Sequence, residues 1–110
     1  MSQIELINKY ILKVVNEGGE GNFVIFEDEN SGKIIQFAAC KGDPILVCDI
    51  PLNQLRNEEE KMLIEMGFVK KENAYQALVD FEEAAELTDE IFTEVFNSPN
   101  YKLKTKIVLE

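Results

Sequence analysis

From Phe23 to Ile50 the chain reads as three short β-rich runs punctuated by two turn signals, and this stretch constrains the fold more than any other. Phe23–Phe26 is followed by Asn30-Ser31-Gly32, Lys33–Cys40 by Lys41-Gly42-Asp43-Pro44, and Ile45–Ile50 ends at Pro51. The pattern predicts an antiparallel meander. A four-residue loop at 41–44 sets Cys40 opposite Ile45, Phe37 opposite Cys48 and Ile35 opposite Ile50. Paired residues point to the same side of a sheet. One face then carries Ile35, Phe37, Ala39, Leu46, Cys48 and Ile50, joined by Val24 and Phe26 if the first hairpin loop is also even. The other carries Phe23, Ile25, Ile34, Gln36, Ala38, Cys40, Ile45, Val47 and Asp49. The first face is the expected core. The second is unusually apolar for a face left in water.

The flanks read as helices and further strands. Residues 2–17 carry Ile4, Ile7, Ile11 and Val14 at helical spacing, with Ser2 and Glu5 spaced as a capping box and Gly18-Gly19 as the stop. A second helix is expected behind Asn57 as N-cap, with Glu60 at capping-box spacing, ending at Gly67. Phe68–Lys70 and Ala74–Phe81 read as strands, and 83–97 as a third helix. Tyr101–Leu109 alternates apolar residues with Lys102, Lys104 and Lys106, the pattern of a half-buried strand whose lysines guard a sheet edge. The expected fold class is α+β, a two-layer sandwich of antiparallel sheet and helices in one domain over residues 1–110. Its order is helix, three strands, helix, two strands, helix and a C-terminal strand.

Charge and composition limit function. The chain has no histidine, which removes the commonest general base and metal ligand. Its net charge of −10 disfavours a phosphate backbone or an anionic membrane surface as partner. No apolar run approaches the roughly 20 residues of a bilayer span, and Glu5 interrupts the N-terminal pattern, unlike a secretory signal.

Cys40 and Cys48 fall on opposite sheet faces in this register, so two reduced thiols in a cytoplasmic protein are expected. Glu27-Asp28-Glu29-Asn30-Ser31-Gly32 lacks the ligand alternation of a calcium loop and reads as a hairpin turn. Glu58-Glu59-Glu60 and Glu82-Glu83 are expected in first helical turns, where the helix dipole favours carboxylates. Gly18-Gly19-Glu20-Gly21 precedes a strand and so lacks the helix N-terminus of a phosphate loop. No catalytic residue, cofactor site or metal site is assigned.

Three stretches carry a family resemblance. Lys33-Ile34-Ile35-Gln36-Phe37-Ala38 is similar to a K-x-V-Q-F-A strand of YbjN-like domains. Leu52–Glu60 with Leu63 and Met66-Gly67-Phe68 resembles their leucine, acidic helix and L-G-aromatic stretch. Phe81 followed by Ala84–Phe96 resembles their last strand and acidic, apolar C-terminal helix. Together with the element order, residues 2–97 resemble the secretion-chaperone-like fold of type III secretion chaperones and YbjN-type proteins. Tyr101–Leu109 extends beyond it. The resemblance implies a two-layer sandwich, no catalysis, and binding of a protein segment, often as a homodimer.

The expected function is therefore a non-enzymatic, chaperone-like domain that holds an extended segment of a client protein or peptide. Ile25, Ile34, Ile45 and Val47 are the candidate protein-binding face, expected to lie close together and to be covered either by another helix of the same chain or by a partner or a second copy. The alternatives are a regulatory or structural subunit of a larger complex, or a small enzyme whose carboxylates converge in a cleft.

Overall fold

Six strands form one antiparallel sheet in the order β4-β5-β3-β2-β1-β6, and three helices pack on one side of it. The computed structural model describes residues 1–110. The elements are α1 (Gln3–Asn16), β1 (Asn22–Asp28), β2 (Ile34–Ala39), β3 (Ile45–Pro51), α2 (Asn57–Glu65), β4 (Val69–Lys70), β5 (Ala74–Asp80), α3 (Ala84–Glu90) and β6 (Leu103–Val108). The α+β two-layer class predicted from sequence is the architecture found.

The meander pairs as its alternation requires. Val24 faces Phe37, Phe26 faces Ile35, and Phe37 faces Cys48. These side chains and Leu46, Ile50, Tyr75 and Val79 point to the helical side and are buried. Ile7, Ile11 and Val14 of α1 close over them, with Ile91, Phe92 and Val95 from the turn that follows α3. Phe26 meets Phe37 edge-on with ring centroids 6.2 Å apart, and Phe92 stacks on Tyr101 at 4.8 Å. Each fully buried aromatic of this kind contributes about 1.5–3 kcal/mol through removal from water.

Helix ends follow local chemistry with two departures. Ser2 and Glu5 form the predicted capping box at the start of α1. The N-cap of α2 is Arg56, not Asn57, and the carboxylate that returns to it is Glu59, not Glu60, accepting the Arg56 N–H at 2.8 Å. Glu59 is held there by Lys33 of the β1–β2 connection, a partner distant in sequence. The third helix is α-helical only over Ala84–Glu90 and widens into a π turn over Ile91–Val95, in which Phe96 N–H bonds to Ile91 O. Such turns rotate side chains out of the 3.6 period; here Ile91, Phe92, Val95 and Phe96 are all buried.

Two buried polar side chains tie remote segments together. Asn22 donates from Nδ2 to Val14 O and Glu17 O, and its Oδ1 accepts the N–H groups of Gly19 and Glu110. Asp28 performs the equivalent task at the other end of β1. Its Oδ1 accepts the N–H groups of Asn30 and Lys102, each at 3.0 Å, and its Oδ2 accepts the hydroxyls of Ser31 and Ser98 at 2.9 and 2.7 Å. The acidic run around Asp28 is a hairpin turn, as predicted, and is also the clamp that positions the chain leading into β6.

Candidate protein-binding face

The side of the sheet opposite the helices carries no covering element. Cross-strand registers resolve it into rows. One row is apolar throughout and crosses five strands: Val108 of β6, Phe23 of β1, Ala38 of β2, Val47 of β3 and Leu78 of β5. At about 4.8 Å per strand it runs roughly 19 Å. The adjacent row is mixed: Lys106, Ile25, Gln36, Asp49, Gln76 and Val69. Leu78 is 76% exposed, Val69 56% and Ile45 41%, whereas Phe23, Ile25, Ile34 and Val47 are half-buried by their neighbours.

All four predicted face residues lie on this side, but they do not form one cluster. Ile45 and Val47 lie toward one end of the strands, Ile25 is central, and Ile34 lies at the far end beside Glu27. Ile34 is six residues along β2 from the position opposite Ile45, about 20 Å. Between them stands the polar pair Gln36 and Asp49. The continuous apolar surface is instead the row ending at Leu78. Leu78 and Val108 were not singled out in the sequence, because their face depends on which strands β5 and β6 join. At the Ile45 end, a groove of about 270 Å³ is lined by Phe23, Ala38, Cys40, Ile45 and Val47, with Glu20 and Asp43 on its rim.

The two buried carboxylates, Asp28 and Glu59, are engaged in structure. Burial pushes the Asp28 carboxyl up, but hydrogen bonds from Ser98, Lys102, Asn30 and Ser31 outweigh it and hold the group below the ordinary carboxylate value. Glu59 likewise pays for burial and is drawn down by Lys33 and by the Arg56 N–H and guanidinium. Glu58, Glu59 and Glu60 do lie in the first turn of α2, and Glu59 is in addition a buried ion-pair partner; Glu82 and Glu83 instead precede α3, whose first turn holds Glu86. Glu60 accepts the Tyr75 hydroxyl at 2.9 Å. Burial, reinforced by the Asp89 carboxylate 2.7 Å from its hydroxyl, raises the Tyr101 phenol. No three His, Cys, Asp or Glu side chains converge as a metal-binding group. No helix is long and apolar enough to cross a membrane.

Cys40 is exposed and Cys48 is buried on the opposite face. Burial and the adjacent Asp49 carboxylate push the Cys48 thiol well above its usual value. A thiolate is the reactive form. A disulfide-exchange reagent is thus expected to titrate one thiol per chain promptly in the native protein and the second only on denaturation. Two fast thiols, or none, would contradict the faces assigned to these residues.

No protein-family model, curated protein or solved structure matches this chain. The class is accordingly defined by its architecture: an α+β two-layer domain with one sheet face open.

Proposed function

We propose that this chain is a non-enzymatic, cytoplasmic protein-binding domain of the secretion-chaperone-like kind, which holds an extended segment of a client protein. The observation that carries the reading is the apolar row Val108, Phe23, Ala38, Val47 and Leu78 on a sheet face that no helix covers. A contiguous apolar surface with a polar rim is the usual mark of an interaction site. The net charge of −10 favours a neutral or basic client and opposes nucleic acid.

The test is Phe23→Lys combined with Ile45→Lys. Both side chains line the groove at one end of the face and neither belongs to the core. The double variant is expected to fold and melt within a few degrees of wild type while losing client capture or self-association at least about tenfold. Circular dichroism reports the first, and light scattering with quantitative pull-down of a stoichiometric client reports the second. A folded variant with unchanged mass and unchanged client binding would show the face to be idle. A stoichiometric small molecule retained by the wild-type protein would favour the enzyme reading instead.

A further inference from the structure

The sheet has an unfinished edge. β4 pairs only with Tyr75 and Gln76, whereas β5 continues to Asp80. In an antiparallel strand, successive residues direct their backbone groups to alternate sides. The phase in β5 is fixed from both sides: Phe81 N–H bonds to Pro44 O across from β3, and Lys71 N–H bonds to Ala74 O across from β4. Tyr75, Ala77 and Val79 therefore address β3, and Gln76, Leu78 and Asp80 address the outer edge. Gln76 is met by Val69. The Asp80 carbonyl turns to accept Glu83 N–H at 3.0 Å. The Leu78 N–H, the Leu78 C=O and the Asp80 N–H are left facing outward with no strand beside them.

Two grooves flank this edge, one on each side of the sheet. On the helical side a groove of about 390 Å³ has Met66, Phe68 and Leu87 as its apolar lining and Glu83, Glu86 and Glu90 along its wall. On the open side a groove of about 350 Å³ is bounded by Val47, Val69 and Leu78. Ala77 and Leu78 border both. Side chains of a strand alternate between the two faces of its sheet. A strand laid along Leu78–Asp80 would thus send alternate side chains into the two grooves. The helical-side groove is acidic: its three glutamates lie on one side of α3 and its approach, and none of the structure's four ion pairs involves them.

We propose that the Leu78–Asp80 edge of β5 accepts a short extended client segment as a seventh strand, with basic side chains toward Glu83, Glu86 and Glu90 and apolar side chains toward Leu78 and Val69. This rests on the protein-binding reading and names the chemistry of the partner: a segment alternating basic and β-branched residues. Backbone hydrogen bonds to Leu78 and Asp80 supply register, and the two grooves supply selection.

The probe is the fluorescent peptide Arg-Val-Arg-Val-Arg-Val, capped at both ends, titrated with the full chain and read by anisotropy. Saturable binding is expected. N-methylation of alternate backbone amides should weaken it about tenfold or more, because the ladder bonds are lost while the side chains remain. Replacing arginine by glutamate in the peptide should abolish it. Glu83→Gln with Glu86→Gln and Glu90→Gln should weaken it about tenfold and flatten its salt dependence. Leu78→Pro, which removes an outward N–H, should weaken it comparably in a chain that still folds by circular dichroism; if that variant unfolds, the N-methylated peptide carries the same comparison.

No binding of the basic peptide, equal binding after N-methylation, or equal binding of the glutamate peptide would each overturn the proposal. So would self-assembly of the chain through this edge to the exclusion of peptide. If the peptide fails while a natural client is still captured by wild type and lost in Phe23→Lys with Ile45→Lys, protein binding stands and the β5 edge is not the site. If both fail, both readings fall.

Discussion

Replacing Asp28 with alanine is expected to destabilise the fold by about 3–4 kcal/mol, roughly 15–20 °C in Tm for a domain of this size. The carboxylate is fully buried and accepts four hydrogen bonds, from Asn30, Ser31, Ser98 and Lys102. Alanine leaves two backbone N–H groups and two hydroxyls facing a void. The effect should spread to β6, because the Lys102 N–H anchors the residue just before Leu103, where that strand begins to pair with β1. Asp28→Asn should cost markedly less. Its remaining carbonyl can still accept the Asn30 and Lys102 N–H groups, and the serine hydroxyls can rotate to accept from its amide. The pH dependence separates charge from shape. The folded-state Asp28 carboxyl lies below its ordinary value, while the unfolded one titrates near 3.9. The stabilisation is complete above about pH 5 and is lost as pH falls through about 4, since the unfolded chain takes up the proton first. Thermal melts from pH 7 to pH 3 should therefore show wild type converging on Asp28→Asn as pH falls. A gap independent of pH would mean that the ionised form has no special role.

The parts of this fold legible in the sequence are those set by local period. Strand alternation from Phe23 to Ile50 fixes the buried side, because a period of two leaves no other arrangement once the Lys41–Pro44 turn sets the register. The Ser2 and Glu5 capping box is equally local. What could not be read was non-local. Nothing in Ala74–Asp80 says that it lies beside β3, so Leu78 could not be placed on the open face and the free edge of β5 could not be foreseen. Nor does Tyr101–Leu109 announce that it joins β1, although its lysines do mark an edge strand. The scatter of Ile25, Ile34, Ile45 and Val47 has a different origin. The predicted register already put Ile34 and Ile45 at opposite ends of their strands. A shared face does not make residues neighbours when they lie at opposite ends of their strands. The N-cap of α2 moved from Asn57 to Arg56 because a tertiary ion pair outweighs intrinsic capping preference.

That ion pair carries the second large expectation. Glu59 is 1% exposed at its side chain and pairs with Lys33, which is itself only 19% exposed and lies 4.9 Å over the Phe96 ring. Lys33→Met is expected to destabilise by about 3–5 kcal/mol, because it strands a buried carboxylate whose other contacts are the Arg56 N–H and a guanidinium 3.6 Å away. Glu59→Gln should cost less. The lysine stem can keep its packing on Phe96 while its ammonium swings toward water. Lys33→Met with Glu59→Leu should recover most of the loss, falling within about 1–2 kcal/mol of wild type, since apolar replacement of a whole buried pair is often neutral and the remaining deficit is the helix cap. The pH response should change sign. In wild type the Glu59 carboxyl sits below its ordinary value, so its contribution is lost as pH falls below about 4.5. In Lys33→Met, burial without the ammonium raises the folded-state carboxyl above the unfolded one. That variant is destabilised near neutrality and gains relative to wild type as pH falls through the raised value. Chemical denaturation of wild type, these variants and the single Glu59→Leu at pH 7 and pH 4.5 closes the cycle and measures both the coupling and its sign. Additive single-variant losses, or a Lys33→Met deficit that grows on acidification, would remove the pair as the bond between α2 and the β1–β2 turn.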